Sequence, residues 1–132
     1  MNNQNQNRRK HTRAIFSFDD NITGFFSIPG GNGKAFSTHV LNLSEGGIQI
    51  TLSRQDQKKL STGENIILLQ IKGPNPLRFL VNIDTQVKWI LSHEILEHSG
   101  AGCEFINISP SSREQIASFV DAWYNKDTDL QA

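Results

Sequence analysis

The sequence predicts a mostly β fold, with several short antiparallel strands closing into a small barrel and one α-helix at the C-terminal end. Three observations carry that prediction. Short apolar runs recur between residues 14 and 108, divided by turn formers such as Pro29-Gly30-Gly31-Asn32-Gly33 and Gly73-Pro74-Asn75-Pro76. Within one run, Ile48, Ile50 and Leu52 alternate with Gln49 and Thr51, the two-residue period of a half-buried strand. Farther on the period changes: Ile116, Phe119, Val120 and Trp123 stand at i, i+3, i+4 and i+7, one apolar stripe along a helix.

Taken in order, residues 1–7 are nearly all Asn and Gln and predict a disordered tail. Residues 8–13 form a basic arm, and residues 14–18 and 22–28 read as the first strands, divided by Asp19-Asp20-Asn21. Residues 35–43 and 47–52 read as two strands joined by Ser44-Glu45-Gly46, and the polar residues 53–60 as a loop or a helical turn. Further strands are expected at 65–72, 77–91 and 102–108, with His98-Ser99-Gly100 as punctuation before the last. The closing helix spans residues 110–125, with Pro110 at its leading edge and Ser111 and Glu114 spaced as a capping box, leaving 126–132 as a tail. Residues 8–125 thus form one domain whose barrel occupies 14–109. Strands this short leave exposed edges unless the sheet closes, which favours a barrel. No repeat and no strand–helix alternation points to a doubly wound sheet.

Charge narrows the function. Lys+Arg and Asp+Glu each number 13, so the molecule as a whole is not an electrostatic nucleic-acid binder. The zero is unevenly distributed. Arg8, Arg9, Lys10 and Arg13 fall in a stretch without acids, leaving 9 basic and 13 acidic residues beyond it. A basic arm on a slightly acidic body points to a local anion site. The single cysteine, Cys103, permits no intrachain disulfide and reads as a small buried hydrophobe. One cysteine and four scattered histidines do not make a zinc cluster. With no apolar run long enough to span a bilayer and no apolar run of a secretory signal, a cytoplasmic location without a membrane partner is expected.

Two features carry chemistry. Arg9 and Arg13 are separated by three residues, with Arg8 alongside. Guanidinium groups bind phosphate oxygens in pairs, match the O6/N7 edge of guanine, and stack on purine faces. Seen alone, such an arm reads more simply as a solvated tail. The second feature is Asn42-Leu43-Ser44-Glu45-Gly46-Gly47. Asn42 and Ser44, two apart, face the same side of an extended backbone, and glycine allows a sharp turn or close approach of a ligand. Seen alone, it reads as an ordinary hairpin turn.

In this order on a β-rich chain, Arg9-x-x-x-Arg13 followed by Asn42-x-Ser44-x-x-Gly47 resembles the paired signature of PilZ domains, which bind cyclic di-GMP. Val87-Lys88-Trp89 and Gly102-Cys103-Glu104-Phe105 resemble that family's late strands, and the likeness covers residues 8–124. It implies a short six-stranded antiparallel split β-barrel with a C-terminal α-helix and the ligand against its outer surface. It also implies that Arg9 and Arg13 contact phosphate and guanine, that Asn42 and Ser44 bind a guanine edge, and that Gly47 is the backbone-approach position. The family often has Asp where this chain has Asn42, so somewhat weaker binding is expected. Arg8, the extra guanidinium, is expected to favour a stacked pair of cyclic di-GMP molecules over a single one.

The resulting expectation is a binding module without catalysis or cofactor, whose arginine arm orders on cyclic di-GMP and which signals to an unidentified downstream protein. Ser44 has neither the elbow sequence nor an adjacent base of a nucleophile, and no carboxylate or metal-ligand cluster supports a hydrolase. Trp89 and Trp123 both sit in periodic apolar patterns and are expected in or at the edge of the core. His11, His39, His93 and His98 read as surface residues. Two other readings compete: a PilZ-like protein-interaction module that does not bind nucleotide, and a β-barrel for single-stranded RNA or DNA. The net negative body opposes the second, so no nucleic-acid partner is expected.

Overall fold

A computed structural model of the chain describes residues 13–29, 34–53, 60–74, 78–91 and 98–131. The expected tail at 1–7, the arm as far as residue 12, and the polar stretch at 54–59 lie outside these residues. Seven strands and one helix follow in order: β1 (Ala14–Ile15), β2 (Thr23–Ser27), β3 (Ala35–Leu43), β4 (Gly47–Ser53), β5 (Asn65–Lys72), β6 (Arg78–Leu91), β7 (His98–Ile106) and α1 (Pro110–Gln131). All strand pairs are antiparallel. Six strands run β3-β2-β5-β6-β7-β4, and β4 pairs back onto β3, so the sheet closes as a barrel and its edges satisfy each other.

The two-residue β1 is an annex to that barrel. It pairs with β3 through Ala14–Leu43 and Ile15–Asn42, along the same edge that β2 occupies farther down through Thr23–His39. Between them the chain leaves the sheet in a 3-10 turn at Phe18–Asp20, where the Ser17 N–H donates to Asp20 Oδ2 at 2.7 Å. Asn21 then reverses direction in the left-handed region (φ 54°), which Asn tolerates better than most residues. The expected strand at 14–18 is therefore shorter than its apolar pattern suggests, because Ser17 and Asp20 satisfy the backbone locally.

The alternation of the sequence now has a spatial meaning. Ile22, Phe26, Leu43, Ile50, Ile66 and Ile83 are fully buried inside the barrel. Helix α1 closes one end, with Ile116, Phe119 and Val120 buried as the stripe requires. Phe16 fastens it: its ring lies 4.8 Å edge-on from that of Trp123 and 5.9 Å from that of Phe119. Burial of such a ring stabilises by about 1.5–3 kcal/mol. The root of the N-terminal arm is thus held between β3 and α1.

Three further boundaries bear on the site and its helix. The helix cap is Ser109, not Ser111: with Pro110 at the first helical position, Ser109 Oγ accepts the Ser112 N–H at 3.1 Å. The helix continues to Gln131 instead of ending at 125, since no Gly or Pro follows residue 110 to stop it. Strand β7 begins at His98, taking in Gly100, which reads in sequence as punctuation. The reason is pairing with β4, whose Thr51, Leu52 and Ser53 continue the ladder opposite Gly100, Ser99 and His98. Among the described residues, no helix is long and apolar enough to cross a membrane.

Candidate functional site

The outer wall of the barrel carries one continuous cross-strand row. Ile15 of β1 pairs with Asn42 of β3, Asn42 with Gln49 of β4, Gln49 with Gly102 of β7, and Gly102 with Trp89 of β6. Each lies outside the barrel, while strand neighbours Leu43, Ile48, Ile50, Ala101 and Cys103 point inward and are buried.

Two β-bulges build the two ends of this row. On β3 the register shifts between Val40 and Asn42, with Val40 buried opposite Ile50 and Asn42 outside opposite Gln49. On β6 it shifts between Val87 and Trp89, with Val87 buried opposite Cys103 and Trp89 outside opposite Gly102. Without the extra residues Leu41 and Lys88, the two-residue period would send Asn42 and Trp89 into the core. Bulges that re-aim side chains are common beside functional sites. Trp89 is consequently not a core residue: its side chain is 40% exposed and its indole fills the space above Gly102. A Cβ at residue 102 would come 2.7 Å from Trp89 Cζ2 and closer still to Nε1, so only glycine admits the ring there.

The turn beside the row is held from within. The Ser44 N–H donates to Gly47 O at 3.0 Å, and the Gly46 N–H donates to Ser44 Oγ at 3.1 Å. Phe105 N–H donates to Gly46 O at 3.0 Å, tying the turn to β7. Ser44 is buried, with 6% of its surface exposed. Gly47, expected to admit a ligand, has a packing task as well: a Cβ there would collide with the backbone carbonyl of Cys103. Asn42 Nδ2 donates to Gln49 Oε1 at 2.6 Å.

Arg13 immediately precedes Ala14, whose partner is Leu43, so continuing the register carries its backbone to the level of Ser44. It is half-buried and engaged by other groups. Arg13, Asn42, Ser44 and Gly47 therefore gather at one corner of the wall. Arg8 and Arg9 lie outside the described residues. Sequence reasoning missed Gln49 and the outward placement of Trp89. Only the run Gly100-Ala101-Gly102 hinted at a large side chain lying across the strand.

Charges nearby are partly balanced. Glu104, next outward on β7 and opposite Gly47, pairs with Lys88 Nζ at 3.4 Å. Beneath the row, burial pushes the Cys103 thiol up to about 11, partly opposed by a hydrogen bond with Thr85. That sulfur is a packing group rather than a nucleophile at neutral pH. Among the described residues, no group of three metal-ligating side chains occurs.

The family model described as PilZ domain matches residues 7–122. No curated protein matches the chain. Solved structures do. The PilZ domain with c-di-GMP of YcgR from Escherichia coli superposes with a TM-score of 0.70 at 16% identity, over 94% of this chain and 97% of that one. The K. pneumonia MrkH–c-di-GMP complex gives 0.72 at 15% identity, over 93% of this chain and 55% of that one. The Bacillus subtilis inhibitor of motility MotI/DgrA gives 0.67 at 18% identity, over 95% of this chain and 54% of that one. The chain thus spans about half of the latter two proteins, and at these identities the likeness is one of fold.

Proposed function

The chain belongs to the PilZ domain family, and we propose that it is a receptor for cyclic di-GMP that binds on the outer row between the Arg13–Ser44 corner and Trp89. One observation supports this most: Asn42, Ser44 and Gly47 of the resembled signature lie on the same wall as an exposed aromatic face, with Asn42 two strand spacings from it. Adjacent strands are about 4.8 Å apart, so Asn42 and the indole over Gly102 are separated by about 10 Å. A mononucleotide meets only one of these ends, whereas a ligand with two purines meets both.

The roles follow from the chemistry of each group. Arg9 and Arg13 clamp phosphate and guanine with paired N–H donors. Asn42 accepts from guanine N1–H and N2–H₂. Ser44 already receives the Gly46 N–H on one lone pair, so its hydroxyl hydrogen serves a ligand acceptor. Gly47 keeps the turn tight against β7. Trp89 stacks on a base, an interaction typically worth about 1–3 kcal/mol in single-stranded nucleic-acid sites. Lys88 offsets the Glu104 carboxylate that would repel a dianion. Arg8 recruits a second, stacked ligand by meeting its added phosphates.

Binding closes the arginine arm over the wall, and the altered surface is what a downstream protein reads, since a ligand biases only states it binds differently. The protein acts in the cytoplasm, as a receptor and not an enzyme. Calorimetric titration with cyclic di-GMP, GTP and cyclic AMP tests the reading. Micromolar or tighter binding of cyclic di-GMP alone is expected, at two ligands per chain falling to one in Arg8→Ala. Equal, weak binding of all three nucleotides would leave a PilZ-like interaction module as the better description.

A further inference from the structure

Asn42 stands where an aspartate would need no help. A carboxylate presents acceptors whichever way it turns, but an amide has one acceptor end and one donor end, and rotation by half a turn exchanges them. Which end faces a ligand therefore decides which base edge it reads. Guanine offers two donors on that edge, N1–H and N2–H₂, whereas adenine offers an acceptor at N1 beside its N6–H₂ donor. Only an Asn42 that turns Oδ1 outward suits guanine.

The structure contains the group that sets this orientation. Gln49 is the cross-strand partner of Asn42, and its Oε1 accepts Asn42 Nδ2 at 2.6 Å. On the other side of Asn42 stands Ile15, which is hydrocarbon and 66% exposed and competes for neither end of the amide. Beyond Gln49 lies Gly102, whose missing side chain is replaced by the Trp89 indole. Gln49 thus stands between Asn42 and Gly102, on a strand paired on both sides at this level. With Nδ2 engaged, Oδ1 remains for the ligand.

We propose that Gln49 is a positioning residue that turns the Asn42 amide so that its oxygen meets guanine, making Gln49 a determinant of guanine-over-adenine selectivity. The inference rests on the cyclic di-GMP reading of the same wall. It accounts for how an asparagine serves at a position where the resembled family often carries aspartate.

The same amide pair made in reverse, with Gln49 donating to Asn42 Oδ1, would favour adenine, so the test uses partners that permit one direction only. Gln49→Glu can only accept and locks the orientation seen here. Gln49→Lys can only donate and reverses it. Gln49→Leu removes the restraint. The readout is the ratio of the dissociation constants for cyclic di-AMP and cyclic di-GMP. Both ligands carry two phosphates, so the charge introduced by Glu or Lys cancels in the ratio. Gln49→Glu should preserve wild-type selectivity, Gln49→Lys should reduce it about tenfold or more, and Gln49→Leu should fall between. Asn42→Asp in the Gln49→Leu background should restore it, because a carboxylate needs no orienting partner, and a merely structural role for Gln49 would not give that rescue. Thermal unfolding identifies any variant that fails to fold, and the remaining variants still order the ratios. Unchanged selectivity in every folded variant overturns the proposal while leaving the receptor reading intact. A wild-type chain that binds neither ligand overturns both.

Discussion

The turn at residues 42–47 and the root of the arginine arm serve the same proposed ligand but are held by different parts of the fold. The turn is held by bonds made within the fold. Ser44 closes onto Gly46 and Gly47, Gly46 is tied to Phe105, Gly47 rests on the Cys103 carbonyl, and Asn42 is bound by Gln49. Among the described residues, the root of the arm is held behind Arg13, where the Phe16 N–H donates to Leu41 O at 2.9 Å and the Phe16 ring packs on Trp123. Recognition of the base is thus invested in a surface that folding has already organised. The arginines contribute charge from a segment whose anchor the barrel and the helix share. Substitutions in the two regions should therefore separate stability from binding.

The largest separation is expected from Arg9→Ala combined with Arg13→Ala. Loss of two charge-assisted donors, each worth roughly 1.5–3 kcal/mol, should weaken cyclic di-GMP binding by a factor of at least about 100. Stability should change far less, by about 0.5 kcal/mol for Arg9→Ala, with Arg13 costing somewhat more because it is half-buried. Gly47→Ala should show the reverse balance. Its Cβ meets backbone and not a movable side chain, so denaturant unfolding should record a loss of about 1–3 kcal/mol before any ligand is added. If Gly47→Ala were fully stable yet unable to bind, the contrast between the regions would fail at its firmest point.

Ser44→Ala should affect both quantities. It removes the acceptor of the Gly46 N–H, at a cost of about 1 kcal/mol, together with the donor assigned to the ligand. Gly102→Ala is a milder probe, since the obstructing group is a side chain that is 40% exposed and able to move. It should displace the Trp89 indole, shifting its fluorescence and weakening binding while leaving most of the stability in place. The smallest effect is a pH dependence from Cys103. Its thiol is raised from 9.0 to about 11 in the folded chain, so the unfolded chain releases this proton first as pH rises. Its stabilising contribution is complete below about pH 9 and is lost toward pH 11, a decline that Cys103→Ser should reduce.

Legibility in the sequence followed the same division. The strand runs, the helix stripe and the resemblance carried by Arg9, Arg13, Asn42, Ser44 and Gly47 are all local patterns, and local patterns survive in a linear string. Trp89 was misread for a specific reason. Val87 and Trp89 are two apart and so share a face in any regular strand, and the register shift at Lys88 that separates them depends on pairing with β7. Gln49 was hidden differently: it is the polar member of an alternating strand, and nothing in sequence order sets it against Asn42, seven residues away across the turn. Gly100 reads as punctuation because the β4 residues that pair with this stretch lie far away in sequence. What the sequence withheld was, in each case, cross-strand register.

The most direct test of the receptor reading is calorimetric titration of cyclic di-GMP into the wild-type chain and into the Arg9→Ala/Arg13→Ala variant, with thermal unfolding of both recorded alongside. Saturable binding at micromolar or tighter affinity in the wild type, lost in a variant that melts within a few degrees of it, is the expected result. Undiminished binding by a folded variant, or no binding by the wild type, would contradict it.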